Sequence, residues 1–409
     1  MNHALFSARP FAAHALFLFL AGALCATPLV AVIAPRLLAF IPPFMALLGL
    51  GLYRLSGQSW PVIPKSLALW LSAITGLCLL SSFWAIGGTE TIGRALRIGL
   101  VLGSILLLLP LISTTQEKAP LRETVMGFFP RAFFLATLLC LLDLYGNGPL
   151  YYLFHEKSDD ELNLSRLNRS VIALVFMSFP ALWCVWYGGL ARTRKWLFLG
   201  LVLLAIGALF YKTESQSAQL ALMVGIFFAA LFPVRWKAPW YGLKTLILGG
   251  MLIAPWLAQY MFAALAASAK TMPWLSRGYA ADRMEIWDMI SGKALASPLY
   301  GFGLEATRDI PHFETQNLYN PLDHVLHPHN FVLQIWIEFG MIGIVLACGF
   351  FVFILNNMER QTHPTAKLCL AVFMAVFAAS AMSYGLWQGW WLGLFVLLAA
   401  LIRLLRTPS

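Results

Sequence analysis

Apolar residues gather along this chain in blocks of about twenty, parted by short polar stretches. Blocks of that length cross a hydrocarbon layer of roughly 30 Å as helices. They predict twelve spans at about 11–33, 37–53, 66–86, 95–113, 124–145, 170–188, 196–211, 217–233, 243–263, 331–356, 365–384 and 386–405. No alternating run of barrel type appears. The expected fold is therefore all-α, a polytopic integral membrane protein with about 12 transmembrane helices and a large outward loop carrying short helices. Arg9 and the apolar stretch ending near Cys25 and Ala26 imitate a secretory signal, but apolar sequence resumes at once, so this block reads as an uncleaved anchor.

Composition agrees: 60% hydrophobic against 11% charged residues excludes a soluble globule. Cys25, Cys78, Cys140, Cys184, Cys348 and Cys369 all fall inside apolar blocks without metal-ligand spacing, which predicts packing roles and neither disulfides nor zinc. The net charge of +10 is unevenly placed. With the N-terminus inside, the short inner loops hold fifteen of the twenty-eight Lys and Arg with few acids, while the outer loops mix bases with acids. That bias marks the cytoplasmic face, with both termini on it, and no basic run interleaved with aromatics suggests nucleic acid. No internal repeat is visible, which weakens a transporter built from inverted repeats.

Three regions follow: 1–263 with nine spans and a loop near 146–169, a large outward loop at 264–330, and 331–409 with three spans. Five of the eight histidines (His155, His312, His324, His327, His329) lie in the two outward loops. Within the larger loop Asp282 is expected to cap a helix, with Glu285 completing a capping box and Ser297-Pro298 closing it. Its side of Met284, Trp287, Met289, Ile290 and Ala294 suits a helix lying on the membrane surface. Arg283 stands in its first turn, where free N–H groups and a guanidinium suit phosphate; a local Arg-Asp or Arg-Glu pair is the alternative. Arg169 stands at the outer mouth of the sixth span, either facing an anion or snorkelling to headgroups. Arg94 and Arg97 at the fourth span, and Arg277 in the loop, run against the topological bias and would together make an anion site.

His329 is the candidate base, since imidazole titrates near neutrality. Pro328 keeps the backbone before it extended, and Asn330 can orient it or cap the span that follows. His327 accompanies it two residues earlier. Glu338, inside that span, is either functional or paired with a base such as Arg131, and Asp143 carries the same two readings.

At these residues the chain resembles the O-antigen ligase and polymerase family. The carrying motif is His329-Asn330, nine residues, then Gly340-x-x-Gly343. Arg283-x-x-x-Trp287 followed by Pro298-x-x-Gly301-x-Gly303, Asn168-Arg169, Ser82-Phe83-Trp84 and Trp387-Gln388-Gly389-Trp390-Trp391 are similar in character. The resemblance implies a GT-C-like membrane glycosyltransferase of the bacterial inner membrane, with its site on the periplasmic side. It implies inverting transfer of a glycan from undecaprenyl diphosphate to lipid A-core, without metal or cofactor. Its partners are then that lipid-linked donor, the lipid A-core acceptor and membrane lipid, with no nucleic acid. Arg169 and Arg283, with Arg94 and Arg97, would hold the diphosphate; His329 would deprotonate the acceptor hydroxyl; and Asn330, His327, Trp287, Gly340 and Gly343 would support them. One departure stands out: many relatives carry Ser-Arg at the start of the eighth span, where this chain reads Glu214-Ser215-Gln216-Ser217-Ala218. Lys212 or Arg97 could supply that charge. The rival readings are a polymerase whose acceptor is a second lipid-linked repeat unit, and a transporter of lipid-linked sugar.

Overall fold

The computed structural model describes residues 2–114, 118–154, 162–272, 280–310, 313 and 325–406. These residues form thirteen α-helices and no strand. In chain order they are α1 (Asn2–Ile33), α2 (Ile41–Leu55), α3 (Lys65–Leu80), α4 (Glu90–Thr114), α5 (Lys118–Tyr145), α6 (Asn168–Tyr187) and α7 (Arg192–Lys212). There follow α8 (Gln216–Leu231), α9 (Lys237–Thr271), α10 (Ala280–Ala296), α11 (Phe331–Glu359), α12 (His363–Ser380) and α13 (Gly389–Leu405). The chain is thus an all-α polytopic membrane protein, and every predicted span has a helix at its position.

Nine of these helices are long and apolar enough to cross a membrane. The other three apolar helices, α2, α8 and α13, have 15, 16 and 17 residues. At 1.5 Å per residue they reach only about 22–26 Å, less than a full hydrocarbon core. A 3₁₀ turn, Pro35–Ala39, leads into α2 and accounts for the longer block read there. The last two blocks also end differently from expectation. The helix α12 stops at Ser380, and residues 381–388 form a non-helical link before α13 instead of belonging to spans 365–384 and 386–405.

Burial ranks the helices. In α6, 83% of the apolar window is enclosed, because it packs against α1, α5, α7, α8, α12 and α13. Outer helices keep large side chains such as Leu69, Leu204 and Leu246 exposed, as lipid tails give no reason to hide them. At one end of the bundle Lys244 pairs with Glu359 at 2.6 Å, Arg403 donates to Ser113 at 2.7 Å, and Tyr53 meets Thr114 at 3.0 Å. At the opposite end Ser170 donates to the Val32 carbonyl at 3.3 Å and Arg283 to the Met382 carbonyl at 2.7 Å. The starts of α4, α6, α8, α11 and α13 therefore share one end with the link 381–388.

Two expectations for the large loop change. The helix α10 begins at Ala280, so Asp282 sits in its first turn and does not cap it. Its apolar side does not lie on lipid: Trp287, Met289, Ile290 and Ala294 are buried, and α10 packs against α9 and α11.

Candidate active site

The site is built where α11 begins. Asn330 caps that helix, its Oδ1 accepting from the amides of Val332 at 3.0 Å and Leu333 at 3.2 Å. The cap fixes where the preceding His-Pro-His segment stands. From α10, the Trp287 indole donates to the Pro328 carbonyl at 2.9 Å, tying the segment to the helix that carries Arg283. His329 is left with φ of +55°, a left-handed conformation that costs a non-glycine residue of order 1 kcal/mol or more. Its ring meets that of His327 edge to face, with centroids 4.3 Å apart.

The link 381–388 collects the other groups. Arg283 donates to the Met382 carbonyl, and the His329 imidazole hydrogen-bonds the Ser383 backbone. The Ser383 hydroxyl accepts from Ser217 at 3.3 Å. The Tyr384 ring lies against Trp390 and Trp391, with centroids 4.8 and 5.1 Å away. Arg169, in the first turn of α6, stands over the same Trp390 at 5.9 Å. Gly385 leaves room for His327, whose ring would come within 2.7 Å of a Cβ placed there. Further in, the Leu386 amide donates to Gln334 at 2.8 Å.

Charge effects link these groups. Burial first, then the charges of His327 and Arg283, push the His329 imidazole down to about 3, against the opposing bond to Ser383. His327 is lowered by burial, with Arg308 and Arg169 adding to it. Burial holds the Tyr384 phenol above its ordinary value, and the positive charges of Arg169 and Arg283 pull the other way. Burial also lowers Arg283, although a guanidinium remains charged throughout the physiological range. Among the described residues neither Arg169 nor Arg283 forms an ion pair with a carboxylate. The region is thus positive, desolvated and supplied with a neutral imidazole.

Arg94 stands differently. It binds Asp309 at 2.6 and 3.2 Å, Glu90 at 2.9 Å and Glu305 at 3.6 Å, and so pins the start of α4 to residues 305–309. Arg97 is exposed on α4, Lys212 lies over the Tyr145 ring at 5.3 Å, and Arg277, His155, His312 and His324 fall outside the described residues. The structure therefore brings Arg169, Arg283, His327, His329, Asn330 and Trp287 together, and gives Arg94 three acids of its own. At the segment Glu214-Ser215-Gln216-Ser217-Ala218, Ser215 caps α8 through the Ala218 amide and Ser217 reaches Ser383.

The two glycines of the motif shape the scaffold. Gly340 breaks α11, with φ of +55° and ψ of −147°. Into that break runs the segment 298–303. The Pro298 and Leu299 carbonyls accept from Met341 at 2.8 Å and Ile342 at 3.1 Å, while Phe302 and Gly303 donate to the Ile337 and Glu338 carbonyls at 2.8 Å each. A Cβ on Gly340 would stand 2.6 Å from the Leu299 carbonyl carbon, and one on Gly301 2.5 Å from that of Glu338. Gly303 has Ala85 at 2.4 Å from its Cβ position, while Trp84 donates to the Tyr300 carbonyl at 3.2 Å. Gly343 keeps the next turn close to Phe339 and Ile335.

Glu338 is not paired with Arg131, which is exposed and lies over Phe128 at 5.6 Å. Its carboxyl is fully buried and receives Gln334 at 2.8 Å and the Trp387 indole at 2.5 Å. Asp143 accepts from the amides of Leu150 at 2.7 Å and Tyr151 at 3.2 Å, and so shapes the turn after α5. Met382, Ser383, Tyr384 and Ser217 were not read as site residues from sequence. Ser383 and Gly385 inside an otherwise apolar block were the available signal.

Residues 199–348 match a family model described as O-antigen ligase. A "Putative polysaccharide ligase" of Rickettsia conorii is 30% identical over 139 residues, covering 32% of this chain and 33% of that protein. Proteins of the same description from Rickettsia felis and Rickettsia typhi are 29% and 28% identical over the same length, with the same coverage. The match spans about a third of the length of these curated relatives. The family-model match runs from α7 to the middle of α11 and includes Arg283, Trp287, His329 and both motif glycines. The fold is that of a polytopic membrane protein. In its stretch 199–348 the chain is thus similar to O-antigen ligases.

Proposed function

We propose that this chain transfers a glycan from undecaprenyl diphosphate to a hydroxyl of lipid A-core. The observation that carries the reading is the meeting of Arg169, Arg283 and His329 around the link 381–388, with no carboxylate paired to either arginine among the described residues. Two half-buried cations that form no ion pair among the described residues suit a diphosphate whose charge grows as it departs. His329, neutral and hydrogen-bonded to the Ser383 backbone, keeps a ring nitrogen available for a proton.

In this reading His329 accepts the proton of the acceptor hydroxyl as its oxygen attacks the anomeric carbon. The bond from that carbon to the phosphate oxygen breaks, and its electron pair leaves with the diphosphate, which Arg169 and Arg283 neutralise. The new bond forms on the opposite face, so configuration inverts. The proton then passes from His329 to solvent. Donor binding makes His329 a better base, because an anion beside it offsets Arg283 and raises its affinity for a proton. Arg97 is exposed, and Arg94 is held by acids, so the diphosphate role rests on Arg169 and Arg283.

Arg54, Lys65, Arg192, Arg194, Lys195, Lys237, Arg360 and Arg403 cluster at the bundle end away from this site, which supports a cytoplasmic location for that end and a periplasmic one for the site. Purified protein given carrier-linked glycan and lipid A-core in detergent is expected to yield the joined product with inverted anomeric configuration. Elongated carrier-linked product instead would make the chain a polymerase. Movement of intact donor across vesicles with no new glycosidic bond would make it a transporter. The broken α11 would suit a transporter, but the backbone of 298–303 fills the gap.

A further inference from the structure

Glu338 has no role in the transfer step. It stands nine residues beyond His329, about 13 Å along the helix axis, which is too far to touch the reacting atoms. Its carboxyl is nonetheless fully buried inside the apolar helix α11, and no ion pair holds it among the described residues. Burying such a group in a membrane is costly, and an apolar residue would pack there at less cost.

The direction of each bond around this carboxyl is fixed. The Leu386 amide can only donate, and it donates to Gln334 Oε1 at 2.8 Å. That bond turns the Gln334 NH₂ toward Glu338, whose Oε1 accepts it at 2.8 Å. The Trp387 indole, also a donor only, takes the other oxygen at 2.5 Å. Both oxygens at position 338 must therefore accept. A glutamine there fails, since in either orientation its NH₂ would face another N–H. The backbone carbonyl of Glu338 receives Gly303 at 2.8 Å, so this one residue fastens the link 381–388 through its side chain and the segment 298–303 through its main chain. The fastened link is the one whose Met382 carbonyl holds Arg283 and whose Ser383 backbone holds His329.

We propose that Glu338 is a positioning residue: with Gln334 it clamps Leu386 and Trp387, and so keeps Met382 and Ser383 where they orient Arg283 and His329. The positioning role rests on the transfer reading; the clamp itself does not. The experiment uses the full chain in detergent as wild type, Glu338→Gln, Trp387→Phe, and the double variant Gln334→Glu with Glu338→Gln. In the double variant the carboxylate at position 334 accepts from the Leu386 amide and from the amide at position 338, whose oxygen accepts from Trp387. All three bonds return.

Amide hydrogen exchange over residues 381–388 is expected to quicken about tenfold in each single variant and to come back within about twofold of wild type in the double one. In transfer assays each single variant is expected to lower kcat by about tenfold to a hundredfold, with donor and acceptor KM within about threefold. The double variant should regain kcat, which a mere loss of packing would not allow. Should Glu338→Gln fail to fold, Trp387→Phe carries both measurements. Exchange that is unchanged in the single variants, or not recovered in the double one, would overturn the clamp. Quickened exchange with wild-type kcat would overturn the positioning role. The expected exchange pattern in a wild-type protein that transfers nothing would sink the enzymatic reading and leave the clamp standing.

Discussion

Arg94 and Arg283 stand at the same end of the bundle, both turned into protein, yet they live in opposite electrostatic surroundings. Arg94, 12% exposed, is bound to Asp309 at 19% and Glu305 at 13% exposure, as well as to solvent-facing Glu90. Arg283 is half-buried with a backbone carbonyl as its hydrogen-bond partner, and Arg169, which acts on Tyr384 as Arg283 does, has an indole for company. An arginine that brings its acids has a structural task. One that is desolvated without an acid is an expense to the fold, and a bound anion is what relieves it.

That contrast breaks most sharply at the imidazole both regions surround. His329→Ala is expected to cut transfer by roughly 10²–10⁴-fold while the protein inserts and unfolds like wild type. Turnover at saturating donor and acceptor checks it, and an undiminished rate would remove the base from the mechanism. The arginines sharpen the comparison. Arg169→Ala or Arg283→Ala should each lower kcat by about 10²-fold or more, the scale of losing one donor to a developing anion. Arg94→Ala should act elsewhere, lowering stability by about 3 kcal/mol by stranding Asp309, while Glu305 keeps Arg308 and surviving protein keeps its turnover. Should Arg94→Ala lose activity as deeply as the other two and unfold at the wild-type temperature, the division made here fails.

The smallest effect is on pH. His329 and His327 both hold protons less well folded than unfolded, so the unfolded chain binds more protons once pH drops below about 6.5. The contribution of these histidines is therefore complete above that pH and erodes as pH falls below it, for His329 down to about 3, by at most about 1.4 kcal/mol per pH unit for each. Thermal unfolding in detergent between pH 7.5 and 4.5 measures it. In His329→Ala the slope should become shallower.

The regularity of the apolar blocks made twelve helices legible, since their period and length are local properties. Asn330 was readable as a cap because capping also acts over a few residues. Arg169 and Arg283 stood out by lying against the charge bias. The acids that claim Arg94 were not readable, for Asp309 lies 215 residues away and nothing local joins them. The link 381–388 was hidden for another reason: Met382, Tyr384, Leu386 and Trp387 are apolar enough to pass as span, and only their hydrogen-bonding partners reveal a turn. The pairing of Glu338 failed likewise, because an amide and an indole satisfy it without any cation.

Because the backbone of 298–303, which follows α10, stitches to both sides of the Gly340 interruption, α10 and the first half of α11 are joined into one unit. Arg283 and His329 then sit on one hydrogen-bonded unit and Arg169 on α6, outside it; in the proposed reading, loading of a lipid-linked donor would displace α6 or the link 381–388 against that unit. The fold would hold the cation and the base in fixed register while letting the wall bearing Arg169 give way.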